Sequence, residues 1–306
     1  MAHFFSEKTT PMVQLSYAQF DEKGLKVLVK RDDLNHPTVQ GNKWHKLKLN
    51  LSEASKSCAT PLITFGGAHS NHIAATAAVG RKFGIKTLGL IRGDELADRR
   101  DRWSPTLKQA QRDGMQLEFL SRQTYRRRYE SDFLSHYRHR FPNAYFLPEG
   151  GSNDLAIKGL KTLAEQIDTQ CPDWTHLYCA VGTGATLAGL IRYTQCRQNR
   201  QLIGVSSLKQ SDYLVEQIRS WSTSASHATN DWSLDATHHY GGYGKFPEEL
   251  RDFMQNFEHQ FHILLDPVYT VKTFKAFFDD LAQDRFTPGS TIILLHSGGL
   301  QGRQNN

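Results

Sequence analysis

A lysine at the start of a predicted helix is the first group in this sequence whose type and position could do covalent chemistry. Gly41 and Asn42 precede Lys43, and an apolar pattern with helical spacing begins at once at Trp44. The positive end of the helix dipole and the neighbouring Lys46 both disfavour a protonated amine at position 43, which lowers its pKa. Such an amine is a nucleophile for carbonyl groups and forms Schiff bases. Most lysines in a first helical turn are solvated, so this prediction depends on the other segments.

A glycine-rich segment between a predicted strand and a predicted helix could bind phosphate. It consists of Gly182, Thr183, Gly184, Ala185 and Thr186. Its glycines let a ligand approach the backbone, its N–H groups can face an anion, and its threonines add hydroxyl donors. Leu187 replaces the last glycine of the dinucleotide-binding fingerprint, and no Gly-Lys-Ser/Thr follows, so neither that motif nor a P-loop is indicated. Taken alone, the segment is as consistent with a plain glycine turn as with a phosphate site.

The segment 66–72, Gly-Gly-Ala-His-Ser-Asn-His, also joins a predicted strand to a predicted helix. Ser70 and Asn71 would cap that helix. Alternatively, the same helix N-terminus binds a substrate carboxylate, with Ser70 as a donor and Asn71 reaching a cofactor oxygen. His69 and His72 suggest a metal, but no matching set of carboxylates or cysteines accompanies them, so no metal site is expected.

Two tyrosines are further candidates. Tyr243 lies in a glycine-rich segment that offers its ring few side chains to pack on, and Tyr269 lies just before Thr270. Tyrosines are most often half-buried packing residues. Because the glycines around Tyr243 offer its ring little to pack on, Tyr243 is the stronger candidate for a functional role.

The elements that must position these residues alternate between strand and helix. Apolar strands predicted at 62–65, 145–147, 176–181 and 291–295 each end in a polar loop that contains glycine. Nearly continuous apolar strands indicate parallel sheets covered on both faces. Ligands in such sheets bind beyond the carboxyl ends of the strands, so the four loops are expected to share one site. The remaining expected strands are 25–30, 87–91, 116–120 and 202–206. The expected helices include 71–83, 106–112, 125–140, 155–167, 213–221, 248–257 and 271–281, and the polar stretch 222–244 is expected to be a long loop.

Composition describes an ordinary globular chain. Its 306 residues are 39% apolar and 22% charged, enough for about two domains. No apolar run approaches the roughly 18 residues of a membrane span, and no secretory signal is recognised at the N-terminus. The four cysteines show no C-x-x-C spacing, so free thiols in a reducing cytoplasm are expected.

The net charge of +6 comes from a local excess of basic residues, at 126–128 and 136–140. A nucleic-acid patch is one interpretation, but no nucleic-acid-binding motif supports it. A solvated helix face, or a field that attracts anionic substrates and cofactor phosphate, is favoured.

Together these segments resemble the fold type II pyridoxal-phosphate enzymes, and most of all the D-cysteine desulfhydrase and 1-aminocyclopropane-1-carboxylate deaminase family. The resemblance covers almost the whole chain, in the family's order, through VLVKRDDL, GNKWHKL, GGAHSNH, LPEGGSN, AVGTGATLAGL, GGYGK, DPVYT and HSGG. It implies an α/β fold of two domains with parallel twisted sheets covered by helices, tryptophan synthase β-like. Residues 1–46 and 152–306 would form the large cofactor-binding domain, and 47–151 a small inserted α/β domain.

The resemblance also implies pyridoxal 5'-phosphate as the cofactor and assigns roles to residues. Lys43 would be the Schiff-base lysine and the base for the α-proton, and Lys46 would assist with the phosphate. Ser70 would bind the substrate carboxylate or help move a proton, and Tyr243 would face the substrate. The catalytic set is therefore Lys43, Ser70, Tyr243 and Tyr269. The cofactor-binding set is Lys43, Lys46, Asn71 on the pyridine O3', the phosphate loop Gly182, Thr183, Gly184, Ala185 and Thr186, Tyr269 stacked on the ring, Thr270 facing the ring nitrogen, and Ser297 beside it.

Thr270 carries the prediction of activity. The family's deaminases have a glutamate there, which keeps the ring nitrogen protonated and makes a strong electron sink. A neutral threonine suffices for β-elimination of a good leaving group, so a D-cysteine desulfhydrase-like lyase is expected, releasing a 2-oxo acid, ammonia and sulfide. His45 and His69 depart from the family's usual arginine and glutamine. The alternatives are therefore a 1-aminocyclopropane-1-carboxylate deaminase and a non-catalytic pyridoxal-phosphate-binding protein. The family implies a small amino-acid substrate and a homodimer, and neither nucleic acid nor membrane is expected as a partner.

Overall fold

The computed structural model describes residues 8–223 and 229–303, which form two mostly parallel sheets. The six-stranded sheet has the order β1 (Met12–Gln14), β2 (Lys26–Lys30), β10 (Thr291–Leu295), β7 (His176–Val181), β8 (Gln201–Ser206) and β9 (Asp231–Asp235). The four-stranded sheet has the order β5 (Gln116–Leu120), β4 (Thr87–Arg92), β3 (Leu62–Gly66) and β6 (Tyr145–Leu147). Among these described strands only the β1–β2 pair is antiparallel. The predicted α/β class is confirmed.

Helices cover both sheets. They are α1 (Ala18–Glu22), α2 (Asn42–Lys56), α3 (Asn71–Phe83), α4 (Pro105–Arg112), α5 (Arg122–Arg126), α6 (Ser131–Arg140), α7 (Asp154–Gly159), α8 (Lys161–Gln170), α9 (Ala185–Tyr193), α10 (Tyr213–Ser222), α11 (Glu248–Phe261) and α12 (Thr270–Ala282). Strands β3 and β10 are buried along their whole length, as expected for parallel strands with helices on both faces. Of the described helices, none is both long and apolar enough to cross a membrane.

Three predicted elements differ in the structure. The expected helix 125–140 is two helices, α5 and α6, separated by a turn, and the expected helix 155–167 is broken at Leu160 into α7 and α8. The expected loop 222–244 contains the edge strand β9, whose Trp232 and Leu234 alternate with polar residues and pack on the core of the six-stranded sheet. Alternation over five residues is a weak signal, and pairing with β8 forms the strand. Residues 224–228 of that stretch lie outside the described residues.

Helix α2 contacts the cores of both sheets. Trp44, Leu47 and Leu51 belong to the apolar cluster under the four-stranded sheet. On the other side α2 packs against α7 so closely that a Cβ on Gly159 would lie 2.1 Å from the carbonyl oxygen of His45. The four strands between 62 and 147 form one sheet and the remaining described strands the other, while the domain boundaries themselves stay a prediction.

The start of α2 is fixed by a close backbone approach. Gly41 has φ +60°, and a Cβ there would lie 1.9 Å from the carbonyl oxygen of Ser297. The Asn35 side chain donates to the Gly41 carbonyl at 3.0 Å and accepts from its N–H at 2.9 Å. A glycine is required at position 41 for both reasons, and it sets α2 directly beside the end of β10.

Candidate active site

The polar loops that follow β3, β6, β7 and β10 meet around a small inner cavity of about 50 Å³. It lies beyond the carboxyl ends of these strands, where ligands of parallel sheets bind. Of the site residues predicted from the sequence, those that line it are Lys43, Lys46, Ser70, Asn71, Gly182, Thr183, Gly184, Thr186, Tyr269 and Ser297. Segments far apart in the chain are therefore brought together as the sequence predicts.

The amine of Lys43 lies inside this cavity, where its Nζ donates to Oδ1 of Asn42 at 3.0 Å. Burial lowers the pKa of Lys43 to about 8, and the negative charge of Asp266 opposes that shift. The direction agrees with the sequence argument, but the main cause is removal from water rather than the helix dipole or Lys46. A lysine with this pKa is partly a free amine near neutral pH and can attack a carbonyl group.

Lys46 lies one turn further along α2 and is fully buried. Its Nζ is 3.3 Å from the carbonyl oxygen of Gly150 and 3.4 Å from the hydroxyl of Ser152. Burial, together with the charge of the nearby Lys43, holds the pKa of Lys46 well below its usual value. Lys46 thus links α2 to the loop after β6 and supplies donors at the cavity wall.

The predicted phosphate loop turns into α9 at Gly184, whose φ of +85° favours glycine. The first N–H groups of α9 have no partner within the helix and carry its positive dipole end. Thr186 accepts a hydrogen bond of 2.8 Å from the Asn42 side chain, and the hydroxyls of Thr183 and Ser152 are 2.6 Å apart. The segment combines backbone and hydroxyl donors in the arrangement that binds an anion.

The N-terminus of α3 forms the opposite wall. Ser70 is the cap residue, and its Oγ accepts a hydrogen bond from the N–H of Ile73 at 3.4 Å, so the capping role is confirmed. Asn71 follows, and its Oδ1 accepts from the side chain of Gln301 at 2.6 Å. Gln301 holds Asn71 in place and had no sequence signal, because it lies 230 residues away in the chain.

His72 lines the inner cavity and carries a buried, unsatisfied acceptor. The hydroxyl of Thr64 donates to the carbonyl oxygen of Leu147 at 3.0 Å, so it accepts from Nε2–H of His72 at 2.8 Å. The Nδ1 atom of His72 then carries a lone pair and has no hydrogen-bond partner among the described residues. Burial, with the charges of Lys43 and Lys46, holds the pKa of His72 well below its usual value. The imidazole is therefore neutral and lines the inner cavity.

Two tyrosine rings lie beside each other at the outer side of the cavity. The centroids of Tyr243 and Tyr269 are 6.2 Å apart. The Tyr269 ring packs over Gly182, where a Cβ would lie 3.3 Å from a ring carbon, and the Tyr243 ring packs over Gly67 at 2.9 Å. Burial raises the pKa of both phenols. The missing side chains of two glycines leave room for the rings to approach the loops.

The loop that carries Tyr243 is tied down by a buried lysine. Nζ of Lys272 donates to the carbonyl oxygens of His239 and Gly242 at 2.7 and 2.8 Å. Burial lowers the pKa of Lys272 to about 8, again opposed by the charge of Asp266. These two hydrogen bonds hold both ends of the turn before Tyr243.

Asp266 is the acid whose negative charge raises the pKa of both Lys43 and Lys272. Its Oδ1 accepts from the N–H groups of Val268 and Thr270, each at 3.2 Å, and from that of Tyr269, so it caps the start of α12. Burial raises the pKa of Asp266 to about 6. A capping acid below Tyr269 was not recognised in the sequence, although an Asp-Pro pair before a helix is a usable signal.

Two of the predicted cofactor contacts lie behind the cavity wall. Thr270 is buried and does not line the inner cavity. Its hydroxyl accepts a hydrogen bond from the N–H of Asp266 at 2.7 Å. Ala185 is buried at the start of α9 and reaches the site through its backbone alone. Ser297, by contrast, lines the inner cavity.

The two histidines that depart from the resembled pattern lie away from Lys43. His45 is buried, and its Nε2 lies 3.1 Å from Oδ1 of Asp32, outside the inner cavity. The ring of His69 lies 6.2 Å from that of Tyr243 and borders a separate surface cleft. Neither His45 nor His69 lines the inner cavity.

An outer cavity of about 220 Å³ adjoins the inner one and shares part of its wall. Four arginines line it, together with Glu149, Tyr125, Tyr213 and Tyr243; they are Arg92, Arg122, Arg126 and Arg128. The sequence left open whether the basic excess near 126–128 is a solvated helix face or a field that attracts anions, since a helix face cannot be oriented from charge alone. In the structure Arg126 and Arg128 line the cavity.

Comparison with known proteins identifies the family. Residues 4–298 match the pyridoxal-phosphate dependent enzymes. A Thermotoga maritima protein named putative 1-aminocyclopropane-1-carboxylate deaminase is 30% identical, over 97% of this chain and 96% of its own. A D-cysteine desulfhydrase of Klebsiella pneumoniae subsp. pneumoniae is 29% identical, over 91% of this chain and 88% of its own. A crystal structure described as an ACC deaminase homologue has the same fold, with a TM-score of 0.81 at 24% identity over 97% of this chain and 91% of that one.

The chain therefore belongs to the pyridoxal-phosphate dependent enzymes. Its cofactor is pyridoxal 5'-phosphate, as the sequence predicted.

The residues around the inner cavity fit this cofactor. An aldehyde requires an amine that is not fully protonated, and Lys43 is one. A phosphate requires convergent donors, which the start of α9 supplies. A flat ring requires an aromatic or apolar face to stack on, and the Tyr269 side chain lines the inner cavity.

Proposed function

We propose that this protein is a lyase of the group that contains 1-aminocyclopropane-1-carboxylate deaminase and D-cysteine desulfhydrase. We further propose that it acts on a small amino acid by β-elimination, releasing a 2-oxo acid and ammonia, with D-cysteine as the first substrate to test and sulfide as its leaving group. The observation that carries the proposal is the buried, partly deprotonated Lys43 amine between a serine–asparagine helix start and an anion-binding helix start.

The positions of the residues support the following roles. Lys43 would bind the cofactor and, when released, take the proton from the substrate's Cα. Ser70, at the start of α3, would bind the substrate carboxylate with that helix's free N–H groups. Residues 182–186 and Lys46 would hold the cofactor phosphate, and Asn71 would donate to a ring oxygen. When bound, the cofactor supplies the electron sink for the pair left at Cα.

The outer residues would define the substrate side. Tyr269 would stack on the cofactor ring, and Tyr243, held by Lys272, would face the substrate. Ser297 would stand on the side of the ring nitrogen, and the neutral Thr270 lies behind the cavity wall, at the position where the deaminases of the resembled family have an acid. A neutral partner favours loss of a good leaving group over opening of a cyclopropane ring.

The competing function is 1-aminocyclopropane-1-carboxylate deaminase, favoured by the name of a 30% identical relative. The test is a panel of D- and L-amino acids, including D-cysteine, D-serine and 1-aminocyclopropane-1-carboxylate, scored for 2-oxo acid release. We expect D-cysteine to give the higher kcat/KM. Preference for the cyclopropane substrate would reverse the assignment, and turnover of no amino acid would favour a protein that only binds the cofactor.

The variant Lys43→Ala tests the central residue. We expect it to lose the visible absorption band given by pyridoxal phosphate on a lysine, and 2-oxo acid release to fall by roughly 10²- to 10⁴-fold. Lys48→Ala, on the same helix but outside both cavities, is the matched control. A normal band in Lys43→Ala would refute the role of this lysine.

Three properties belong to the same proposal. We propose that residues 47–151 form the small domain and that the protein is a homodimer, as in the family it resembles. Its four free cysteines suit a reducing compartment, so we assign it to the cytoplasm.

A further inference from the structure

The outer cavity holds more positive charge than a small neutral leaving group requires. Arg128 is paired with Glu149 at 2.7 Å, and Arg122 with Glu95 at 3.0 Å. Arg92 and Arg126 have no carboxylate partner among the described residues. Two of the four guanidinium groups in the cavity wall are therefore uncompensated, and this excess must be neutralised by solvent ions or by a ligand.

Arg92 is held in position by aromatic rings. It ends β4 and is half-buried, and its guanidinium carbon lies 5.7 Å from the ring centroid of Tyr243 and 5.9 Å from that of Tyr125. Contacts of this type orient the guanidinium group without using its N–H donors. Those donors stay available to bind an anion in the fork geometry that suits phosphate, sulfonate and carboxylate groups.

The arginines line the outer cavity and not the inner one, which holds the Lys43 amine. The two spaces are continuous, because five residues line both: Ser70, Gly150, Gly182, Thr183 and Tyr269. Lys43, Gly184 and Thr186 line only the inner cavity. A group attached to the substrate's Cβ and directed outward from Lys43 would enter the cationic cavity.

We propose that the natural substrate is an amino acid whose β-substituent carries its own negative charge, such as a phosphate, sulfonate or carboxylate, and that Arg92 and Arg126 recognise this group. The inference rests on the proposed β-elimination. The Cα–H bond breaks and its proton passes to Lys43, and the Cβ–X bond breaks with its electron pair leaving on X. With water, O-phosphoserine would give pyruvate, ammonium and inorganic phosphate, with no oxidant or reductant.

The first experiment compares substrates of both enantiomeric series on the holoenzyme. The anionic substrates are O-phosphoserine, cysteate and O-succinylserine, which distinguish the three anions, and β-chloroalanine is the uncharged reference. We expect at least one anionic substrate to release 2-oxo acid with a kcat/KM that falls as sodium chloride is added, because salt screens the cavity field. The value for β-chloroalanine should respond much less.

The second experiment uses paired variants. Arg126→Gln removes an exposed cavity arginine without disturbing the core, and Arg127→Gln removes its exposed neighbour, which pairs with Glu130 and lies outside the cavity. We expect Arg126→Gln to lower the ratio of kcat/KM for the anionic substrate to that for β-chloroalanine by roughly 10- to 100-fold, the effect of one charge-assisted hydrogen bond. Arg127→Gln should leave the ratio unchanged.

A binding measurement gives a readout besides turnover. Calorimetry on the holoenzyme compares 3-phospholactate with lactate, which have a hydroxyl in place of the amine. We expect 3-phospholactate to bind at least about tenfold more tightly and to lose this advantage in Arg126→Gln but not in Arg127→Gln.

The outcomes separate the two proposals. Equal affinity for 3-phospholactate and lactate, or equal losses in the two arginine variants, would overturn the anion site. Turnover of D-cysteine but of no anionic substrate would also overturn it while leaving the β-elimination intact. If no amino acid is turned over, the β-elimination fails, and the calorimetry still decides whether the arginines bind an anion.

Discussion

The contact between α2 and α7 can be tested with one methyl group, in the variant Gly159→Ala. A Cβ at this position would lie 2.1 Å from the carbonyl oxygen of His45. An ordinary carbon–oxygen contact needs about 3.3 Å, so the two helices must separate by about 1 Å. The obstructing oxygen belongs to the backbone of His45, so a change of side-chain rotamer cannot relieve the contact.

Two effects of opposite sign compete in this variant. Alanine is a better helix former than glycine, which would add at most about 1 kcal/mol of stability. Overpacking against a rigid neighbour costs about 1–3 kcal/mol, and a contact this short belongs at the upper end. We therefore expect a net destabilisation of about 2 kcal/mol, or a fall in Tm of about 3 °C for a chain of this size.

The same displacement should affect chemistry, because α2 carries Lys43 two residues, or about half a turn, before the contact. A shift of about 1 Å in a catalytic group can lower the rate by about 10²-fold. The assays are thermal unfolding at one scan rate, and kcat/KM for the best amino acid in the panel. Lys158→Ala, on the exposed face of α7, is the control and should change the unfolding free energy by no more than about 0.5 kcal/mol. A Gly159→Ala protein as stable and as active as the parent would refute the close helix contact.

The remaining predictions concern Asp266 and Lys272. The negative charge of Asp266 raises the pKa of Lys43 against the effect of burial, so Asp266→Asn should bring that pKa below about 8. The rate at which cofactor-free protein reacts with pyridoxal phosphate, followed by the visible band, should then reach its plateau at lower pH; an unchanged or higher midpoint would contradict this. In Lys272→Met, two buried carbonyls of the Tyr243 loop lose their donor, at a cost of about 1–3 kcal/mol each. We expect a lower Tm and a higher KM, and an unchanged KM would show that the loop does not need this lysine.

The site could be predicted from the sequence to the extent that it depends on chain direction. Parallel strands bring their carboxyl ends to one edge of a sheet, which predicts that the loops after β3 and β6 are neighbours, and likewise those after β7 and β10. That the edges of the two sheets face each other is shown by the structure. Ser70 and the 182–186 loop were found from such loops, and Lys43 from its place in the first turn of a helix. In the structure they surround one cavity, except that Ala185 does not line it. The family resemblance added Tyr269 and Ser297, which line the same cavity.

What could not be predicted depends on distant contacts. The main cause of the Lys43 pKa is burial, which depends on how many atoms of other segments surround the amine. Gln301 binds Asn71 across 230 residues of sequence, and no local pattern encodes such a pair. The helix break at Leu160 did have a local signal, since α7 ends at Gly159, but the apolar helical face of 155–167 outweighed it in the prediction.

The position of α2 has a mechanical consequence. Its first residue, Asn42, hydrogen-bonds through its backbone N–H to the carbonyl of Ser297 at the end of the six-stranded sheet, while Trp44 and Leu47 are embedded under the four-stranded sheet. A rocking motion of one sheet against the other would therefore have this helix as its axis. Points near an axis travel least, so Lys43 would keep its distance to the 182–186 loop while Ser70, on α3, swings to admit or release a molecule.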